Sequence, residues 1–564
     1  ENAMKKYNLI LLLGLFIFCS CDSFLDREPL NSPSDDNFPS SAREMEMALT
    51  GCYTPLWLDH ESMTFFLALD CVTDMSYDRN ANGIQPLAQG AADASNYLVK
   101  NYWANFYSGI ARCNFLINNL GRVTDADEKT KTTVEGEARF LRAVYYSYLT
   151  ELFGDVPLIK ENLTLDNSQL PRTPKAQVVD FILEDLTLAA NCLPEENKPA
   201  SGHASFVSAM ALKARVALYN ERWDVAIAAA QEVMKLENKE VKIEDDYSKL
   251  FTYDGEDSKE IIFSVQYLVD VKEHALYRLF GSRNGKAFTN KKPPYQLADS
   301  WECIDGLPID KSPLFNPKDP YKNRDPRLGY TIAVPGSQFL GFQFETHGDS
   351  LKCWRYDDAG KPVERVDNLE ATHPYATFTG LCWRKYCNLV DKSAMTKCAE
   401  NTIMIRYPEV LLTYAEAKIR AGQIDQSVYD AINKVRQRPS VNMPKVEDTD
   451  PVKLLHRVYK ERKCEFAGEG LRLFDIRRWK IAEKVMNQPV LGRMKKSYPT
   501  EAPEVDEYGN AFYKAEYIAK EGGSSDFKLR LVEMRKFDPE RDYLWPIPDI
   551  DRQTNPNLSQ NPRY

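Results

Sequence analysis

The feature that most constrains this chain is a recurrence of paired amphipathic helices. In residues 403–480, Pro408 sits where a first helical residue tolerates a missing N–H, and Glu409 follows in the first turn. Leu411, Leu412, Tyr414, Ala415 and Ile419 then keep helical spacing up to Gly422. Asp425 caps the next helix, in which Val428, Ala431, Ile432 and Val435 fall at i, i+3, i+4 and i+7 before Pro439. The few residues between the two leave little room for anything but an antiparallel partner. Asp450-Pro451 opens a third helix with Leu455, Val458, Tyr459 and Phe466 on one side, closed by Gly468 and Gly470, and residues 471–479 form a short fourth. Residues 209–236 repeat the unit: Leu212, Ala214 and Leu218, a turn at 219–222, then Trp223, Ala226, Ile227, Ala230 and Val233. Helix pairs with small residues where the backbones meet are the unit of tetratricopeptide-type arrays, and one pair cannot bury its own face. The two copies predict a mainly α, helical-repeat scaffold.

The rest of the chain divides around that scaffold. Residues 1–3 precede Met4 and are set aside; Lys5-Lys6 and the apolar run 9–18 then make residues 1–20 an export signal. It ends at Cys19-Ser20-Cys21, where an acylated Cys21 would hold the protein at a membrane without a spanning helix, with 21–41 as a tether. Residues 42–240 read as helical, including strong helices at 135–153 and 180–193, with a polar interruption at 74–97. That interruption carries Tyr77, Arg79, Asn80, Asn82, Asn96 and Tyr97, a set suited to neutral polyhydroxylated ligands; a solvated crossover is the competing reading. Residues 241–402 form an irregular α/β insert, with strand composition at 260–267 and 328–334, turn signals at Asp305-Gly306 and Asp358-Ala359-Gly360, and many aromatics. After the second helical region, 403–480, residues 481–564 read as an extended segment whose Pro-rich end wraps the outside. The net charge of −10 makes nucleic acid a poor partner.

No arrangement for catalysis or for a cofactor emerges. The six histidines stand alone, with no metal-ligand spacing, and no G-x-S-x-G occurs. Residues 281–286 are too short between glycines for a phosphate loop, and Ala287 replaces the Ser/Thr that would meet magnesium. Residues 506–510 lack the alternating acids of a calcium loop. Glu461 and Glu465, one helical turn apart near Arg477 and Arg478, read better as an ion-pair cluster than as an acid/base pair. The residues predict a protein that is not an enzyme.

Several motifs together resemble the SusD/RagB-like outer-membrane nutrient-binding lipoproteins. They run in order through Cys21-Asp22-Ser23-Phe24-Leu25-Asp26, Glu137-Ala138-Arg139-Phe140-Leu141-Arg142-Ala143, Phe153-Gly154-Asp155-Val156-Pro157-Leu158 and Asn323-Arg324-Asp325-Pro326-Arg327. Arg406-Tyr407-Pro408-Glu409-Val410-Leu411-Leu412, Asp475-Ile476-Arg477-Arg478-Trp479 and Tyr543-Leu544-Trp545-Pro546-Ile547-Pro548 complete them. The family usually ends Pro-Gly-Tyr, and Arg563 departs from that. The resemblance implies a non-catalytic, surface-exposed lipoprotein of the outer membrane that forms a lid over a SusC-like TonB-dependent transporter. It implies an oligosaccharide or polysaccharide ligand, or a peptide in one branch; a surface glycoside hydrolase is the more remote alternative. Ligand contacts in such proteins come from the loop after the first helices and from the insert, here 74–97 and 279–301. Within them Tyr77, Tyr97, Phe280 and Phe288 are the expected stacking residues, and Arg79, Asn96 and Arg283 the expected hydrogen-bonding ones.

Overall fold

The computed structural model describes residues 38–162, 164 and 168–564; the signal segment and Cys21 lie outside the described residues. The long helices are α1 (Ala42–Tyr53), α2 (Tyr97–Asn119), α3 (Glu128–Phe153), α4 (Lys175–Cys192), α5 (Phe206–Tyr219), α6 (Trp223–Met234), α7 (Tyr407–Arg420), α8 (Gln426–Arg436), α9 (Pro451–Glu465) and α10 (Arg472–Arg478). From α1 to α8 each helix packs on the next in sequence, as a helical-repeat scaffold requires. The caps explain where these helices begin: Asp425 accepts from the Ser427 N–H at 3.0 Å, and Asp450 from the Lys453 N–H at 2.9 Å. The α8 positions Val428, Ala431, Ile432 and Val435 are all buried, whereas in α9 it is Leu454 rather than Leu455 that is fully buried. Where α2 crosses α3, a Cβ on Gly109 would lie 2.5 Å from the Tyr145 ring, so only glycine permits that approach.

The strands that bear on the site are β1 (Tyr77–Asp78), β2 (Ile261–Val265), β3 (Lys291–Lys292), β4 (Lys352–Tyr356), β5 (Pro362–Asp367) and β6 (Thr402–Arg406). Helix α6 packs directly on α7 although residues 235–406 intervene. The reason is the antiparallel pairing of β2 with β6, Val265 opposite Thr402, in which every residue of both strands is buried. The chain leaves and re-enters the stack through adjacent strands, so the insert interrupts the sequence but not the packing. In its outer part β4 and β5 form a hairpin turned at Gly360, whose φ of +75° suits glycine.

Three expectations need correction. Residues 328–334 are not one strand: Arg327–Thr331 is a helical turn, started by the Asp325 carboxylate accepting from the Arg327 N–H at 2.9 Å, and only Ile332–Ala333 is extended. The interruption at 74–97 holds β1 and a helical turn at Ile84–Ala88. The C-terminal segment does not merely wrap the outside, because Trp545 is buried with its ring 5.4 Å from Tyr102 and 6.0 Å from Phe153; beyond it Pro548 starts a short helix, Asp549–Thr554.

At the C-terminal end of α9 the interior is charged. Glu465 accepts from Arg406 at 2.6 Å, from Arg327 at 2.8 Å and from Arg438 at 2.9 Å. Glu461 meets Arg327 at 2.5 Å and Arg436 at 2.8 Å, and Glu469 meets Arg406 and Lys385, each at 2.7 Å. The two α9 glutamates are therefore ion-paired, but not with Arg477 or Arg478. Arg478 turns to Glu416 and Asp475, and Arg477 to the carbonyls of Glu151 and Asp542. Burial alone would raise the Glu465 carboxyl, but the charges of Arg406, Arg438 and Arg327 hold it far below the usual carboxylate range.

Removing the carboxylate by Glu465→Ala leaves buried guanidinium groups short of a counter-charge, and is expected to lower unfolding free energy by about 3–5 kcal/mol in urea titrations at neutral pH. The folded-state pKa is depressed, so the carboxylate contributes fully above the unfolded value of about 4.3 and its contribution fades as pH falls below that. The gap between wild type and Glu465→Gln should accordingly narrow in acid.

Candidate ligand-binding site

The 74–97 and 279–301 segments meet in a two-stranded ribbon. β1 pairs antiparallel with β3, Tyr77 opposite Lys292 and Asp78 opposite Lys291, and the Arg79 N–H continues the ladder to the Asn290 carbonyl at 2.9 Å. Strand alternation sends Tyr77, Arg79, Asn290 and Lys292 to one face and Asp78 and Lys291 to the other.

On the first face two guanidinium groups converge. Arg79 Nη1 and Arg283 Nε donate to the same acceptor, the Tyr375 carbonyl, at 2.9 and 3.0 Å, which places the two nitrogens within about 6 Å of each other. Arg79 also donates to Asn290 Oδ1 at 2.7 Å, and Arg283 to the Phe288 carbonyl at 2.7 Å. Each guanidinium lies against an exposed ring: Arg79 is 5.3 Å from the centre of Tyr375, 59% exposed, and Arg283 is 5.6 Å from that of Phe288, 43% exposed. Below them the Phe378 ring has the Arg530 guanidinium at 4.0 Å and the Lys292 ammonium at 4.7 Å. Among the described residues none of Arg79, Arg283, Lys292 and Arg530 forms an ion pair within 4.0 Å. At an effective dielectric of about 20, two cations about 6 Å apart repel by roughly 3 kcal/mol.

Burial first, and then the charges of Arg79 and Arg283, push the Lys292 ammonium down to about 7; its Nζ is buried without a hydrogen-bond partner. Burial likewise raises the Glu370 carboxyl to about 7, and that carboxyl anchors the loop by accepting from the backbone N–H groups of Arg283 and Asn284.

The opposite face is a closed set of ion pairs. Lys291 Nζ lies 2.5 Å from Glu61 and 2.8 Å from Asp78, both carboxylates of a converging His60, Glu61 and Asp78 group whose residue types suit a cation. The ammonium supplies positive charge there, and burial with that charge lowers the His60 pKa. Tyr97 stands at this side, 48% exposed, its ring 6.4 Å from His60 and its hydroxyl accepting from the Gly83 N–H at 3.3 Å.

Of the seven expected contacts, Arg79, Arg283 and Phe288 come together, and Tyr97 lies across the ribbon from them. The others are corrected by burial or by prior use. Tyr77 is 7% exposed beneath Lys292, and Phe280 is 6% exposed against Trp383, because both pack into the protein as core rings. Asn96 is the N-cap of α2: its Oδ1 accepts from the Leu98 and Val99 N–H groups and its amide donates to the Gly83 carbonyl. Tyr375, Phe378 and Lys292, which are not among the expected contacts, also lie at this face. The aromatic spacing of 373–378 was the available signal for the first two, while Lys291-Lys292-Pro293-Pro294 reads as a surface run and gives no warning that both lysines are buried. A hollow of about 830 Å³ beside α8, lined by Gln426, Tyr429 and Asn433, includes none of these residues.

A lysine whose folded pKa is lowered costs stability wherever the unfolded chain still holds its proton, so wild type should gain stability as pH rises from about 7 toward the unfolded value of about 10.4. Lys292→Met is expected to raise unfolding free energy by roughly 2–4 kcal/mol at neutral pH, with the gain vanishing above about pH 10 in denaturant titrations.

Comparison with known proteins agrees with this architecture. Residues 259–564 match the SusD family, and residues 23–218 match a family described as starch-binding associating with outer membrane. The crystal structure of a SusD-like carbohydrate binding protein from Bacteroides fragilis superposes with a TM-score of 0.78 at 31% identity, covering 92% of this chain and 99% of that one. SusD-like protein P25 of Formosa agariphila is 25% identical over 85% of this chain and 90% of its own length. The starch-binding protein SusD of Bacteroides thetaiotaomicron is 28% identical over 35% of each chain. With more than half its length matched by the family and its helical stack shared with a solved relative, the chain belongs to the SusD family.

Proposed function

We propose that this protein captures an oligosaccharide or polysaccharide at the bacterial surface and hands it to a SusC-like TonB-dependent transporter of the outer membrane, where an acylated Cys21 tethers it. The observation that carries this reading is the face on which two exposed rings, Phe288 and Tyr375, are each held by a guanidinium, Arg283 and Arg79. Rings fixed in this way offer flat apolar surface to sugar faces, and the remaining N–H groups reach hydroxyls. Tyr97, across the ribbon, offers a further exposed ring. The carbohydrate-binding relative from Bacteroides fragilis and the starch-binding SusD support a glycan ligand. Among the described residues no helix is long and apolar enough to cross a membrane. Stacking contacts are individually weak, and presentation beside a transporter pore compensates through effective concentration. The reading is non-catalytic: the α9 pair Glu461 and Glu465 is buried and committed to arginines, so neither acid is placed to protonate a glycosidic oxygen.

Residues 22–564 run through native gels containing single polysaccharides, with product analysis on the same mixtures, test this. Retardation by at least one polysaccharide without released oligosaccharide is expected, and Phe288→Ala with Tyr375→Ala should weaken it about tenfold at unchanged melting temperature. Retardation by none, or release of oligosaccharide, would overturn the reading.

A further inference from the structure

We propose that the glycan taken at the Arg79/Arg283 face is acidic, and that these two guanidinium groups receive one of its carboxylate or sulfate groups between them. This rests on the reading of the face as a glycan site and adds the chemical class of the ligand.

The charge balance of the face is unlike that of the cluster around Glu465. On a chain of net charge −10, Arg79, Arg283, Lys292 and Arg530 gather around Tyr375 and Phe378 with no carboxylate in ion-pair range among the described residues. At the C-terminal end of α9 the opposite holds: Arg327 meets Asp325, Glu461 and Glu465, Arg406 meets Glu260, Glu465 and Glu469, and Arg438 meets Glu260 and Glu465. The two carboxyls nearest the face form no ion pair with its cations, although one oxygen of Glu370, Oε2, is buried without a hydrogen-bond partner. Asp78 points to the other side of the ribbon and pairs with Lys291, and Glu370 accepts through Oε1 from the backbone N–H groups, not the side chains, of Arg283 and Asn284. Burial raises Glu370 to about 7, which further reduces the negative charge it offers at neutral pH.

The donors are also oriented. Both guanidinium groups are pinned through the Tyr375 carbonyl, and each uses two of its five N–H groups in the bonds described, leaving three for a ligand. Planar forks held this close match the paired oxygens of a carboxylate or sulfate, while Phe288 and Tyr375 flank them for the adjoining sugar rings. Behind the face the Lys292 Nζ, 4.7 Å from the centre of Phe378 and 5.9 Å from that of Tyr77, has no hydrogen-bond partner of its own; burial pushes it down to about 7, so at neutral pH it adds only part of a positive charge. A neutral sugar would leave the cations uncompensated, so the site discriminates toward the acidic one.

The test is affinity electrophoresis and titration calorimetry of residues 22–564 against polygalacturonate, chondroitin sulfate, starch and laminarin, with poly-glutamate as a non-glycan polyanion, at low and high salt. Retention by an acidic polysaccharide above poly-glutamate is expected, weakened by salt, and Arg79→Gln with Arg283→Gln should lower that affinity at least tenfold while leaving melting unchanged. Selective binding of polygalacturonate assigns the carboxylate; because chondroitin sulfate carries a glucuronate carboxylate beside its sulfate, loss of its binding on desulfation assigns the sulfate. If the double variant melts early, Arg283→Lys decides instead, because it keeps the charge and loses the fork; undiminished binding by whichever variant folds overturns the assignment. Binding of starch or laminarin alone overturns this inference and leaves glycan capture standing. Binding of no glycan overturns both, and equal binding of poly-glutamate overturns the glycan identity.

Discussion

The carboxylate of Glu465 is fully buried among Arg327, Arg406 and Arg438, and segments far apart in sequence meet at that point. Arg327 comes from the middle of the insert, Arg406 from the strand that closes it, Arg438 from just beyond the end of α8, and the glutamate from α9. A buried guanidinium without a counter-charge is costly, so each of these segments can take its place only when the others have taken theirs. The same rule recurs at smaller scale: Arg215 of α5 grips Glu409 of α7 with two bonds of 2.6 Å, and Arg142 of α3 grips Asp185 of α4 with two of 2.7 Å. Apolar faces stack the helices, and these charged pairs set which helix meets which and in what register.

This arrangement separates the structural duties of the chain from its recognition duties. The β2–β6 pair closes the insert at its base, and the interior arginines tie it to α9, so the outer loops of the insert carry little of the load. Those loops bring Tyr375 to Arg79 and Arg283, where the rings of Tyr375 and Phe288 remain exposed and the half-buried guanidinium groups have no carboxylate in ion-pair range among the described residues. On the proposed reading, exposed rings and uncompensated cations held beside a paired ribbon would need little reorganisation when a ligand arrives.

The ribbon also explains why the expected site residues divided as they did. Tyr77, Asp78 and Arg79 are consecutive, and in a strand consecutive side chains face opposite ways, so one segment serves two unlike environments. Composition detected that 74–97 is rich in polar and aromatic groups but carries no information on which way each points. Asn96 illustrates the same limit: its type fits both a sugar hydroxyl and a helix N-cap, and the helix that begins at Tyr97 takes it. Phe280 and Phe288 have equal claim by residue type, and only packing against Trp383 removes the first from the surface.

By itself the sequence determined the helical repeats, because spacing of apolar residues, Asp caps and glycine stops are local properties that act within a few residues. It also carried the motifs that assign the family and the acidity that disfavours nucleic acid. Tertiary structure alone decided that Glu461 and Glu465 pair with Arg327, Arg406, Arg436 and Arg438 in place of their near neighbours Arg477 and Arg478. It alone brought Tyr375 to Arg79, 296 positions away, and buried Lys291 and Lys292. The physical reason is common to all of these: whether a charge is paired, and whether a ring is core or surface, depends on burial and on partners remote in sequence, which no local pattern encodes.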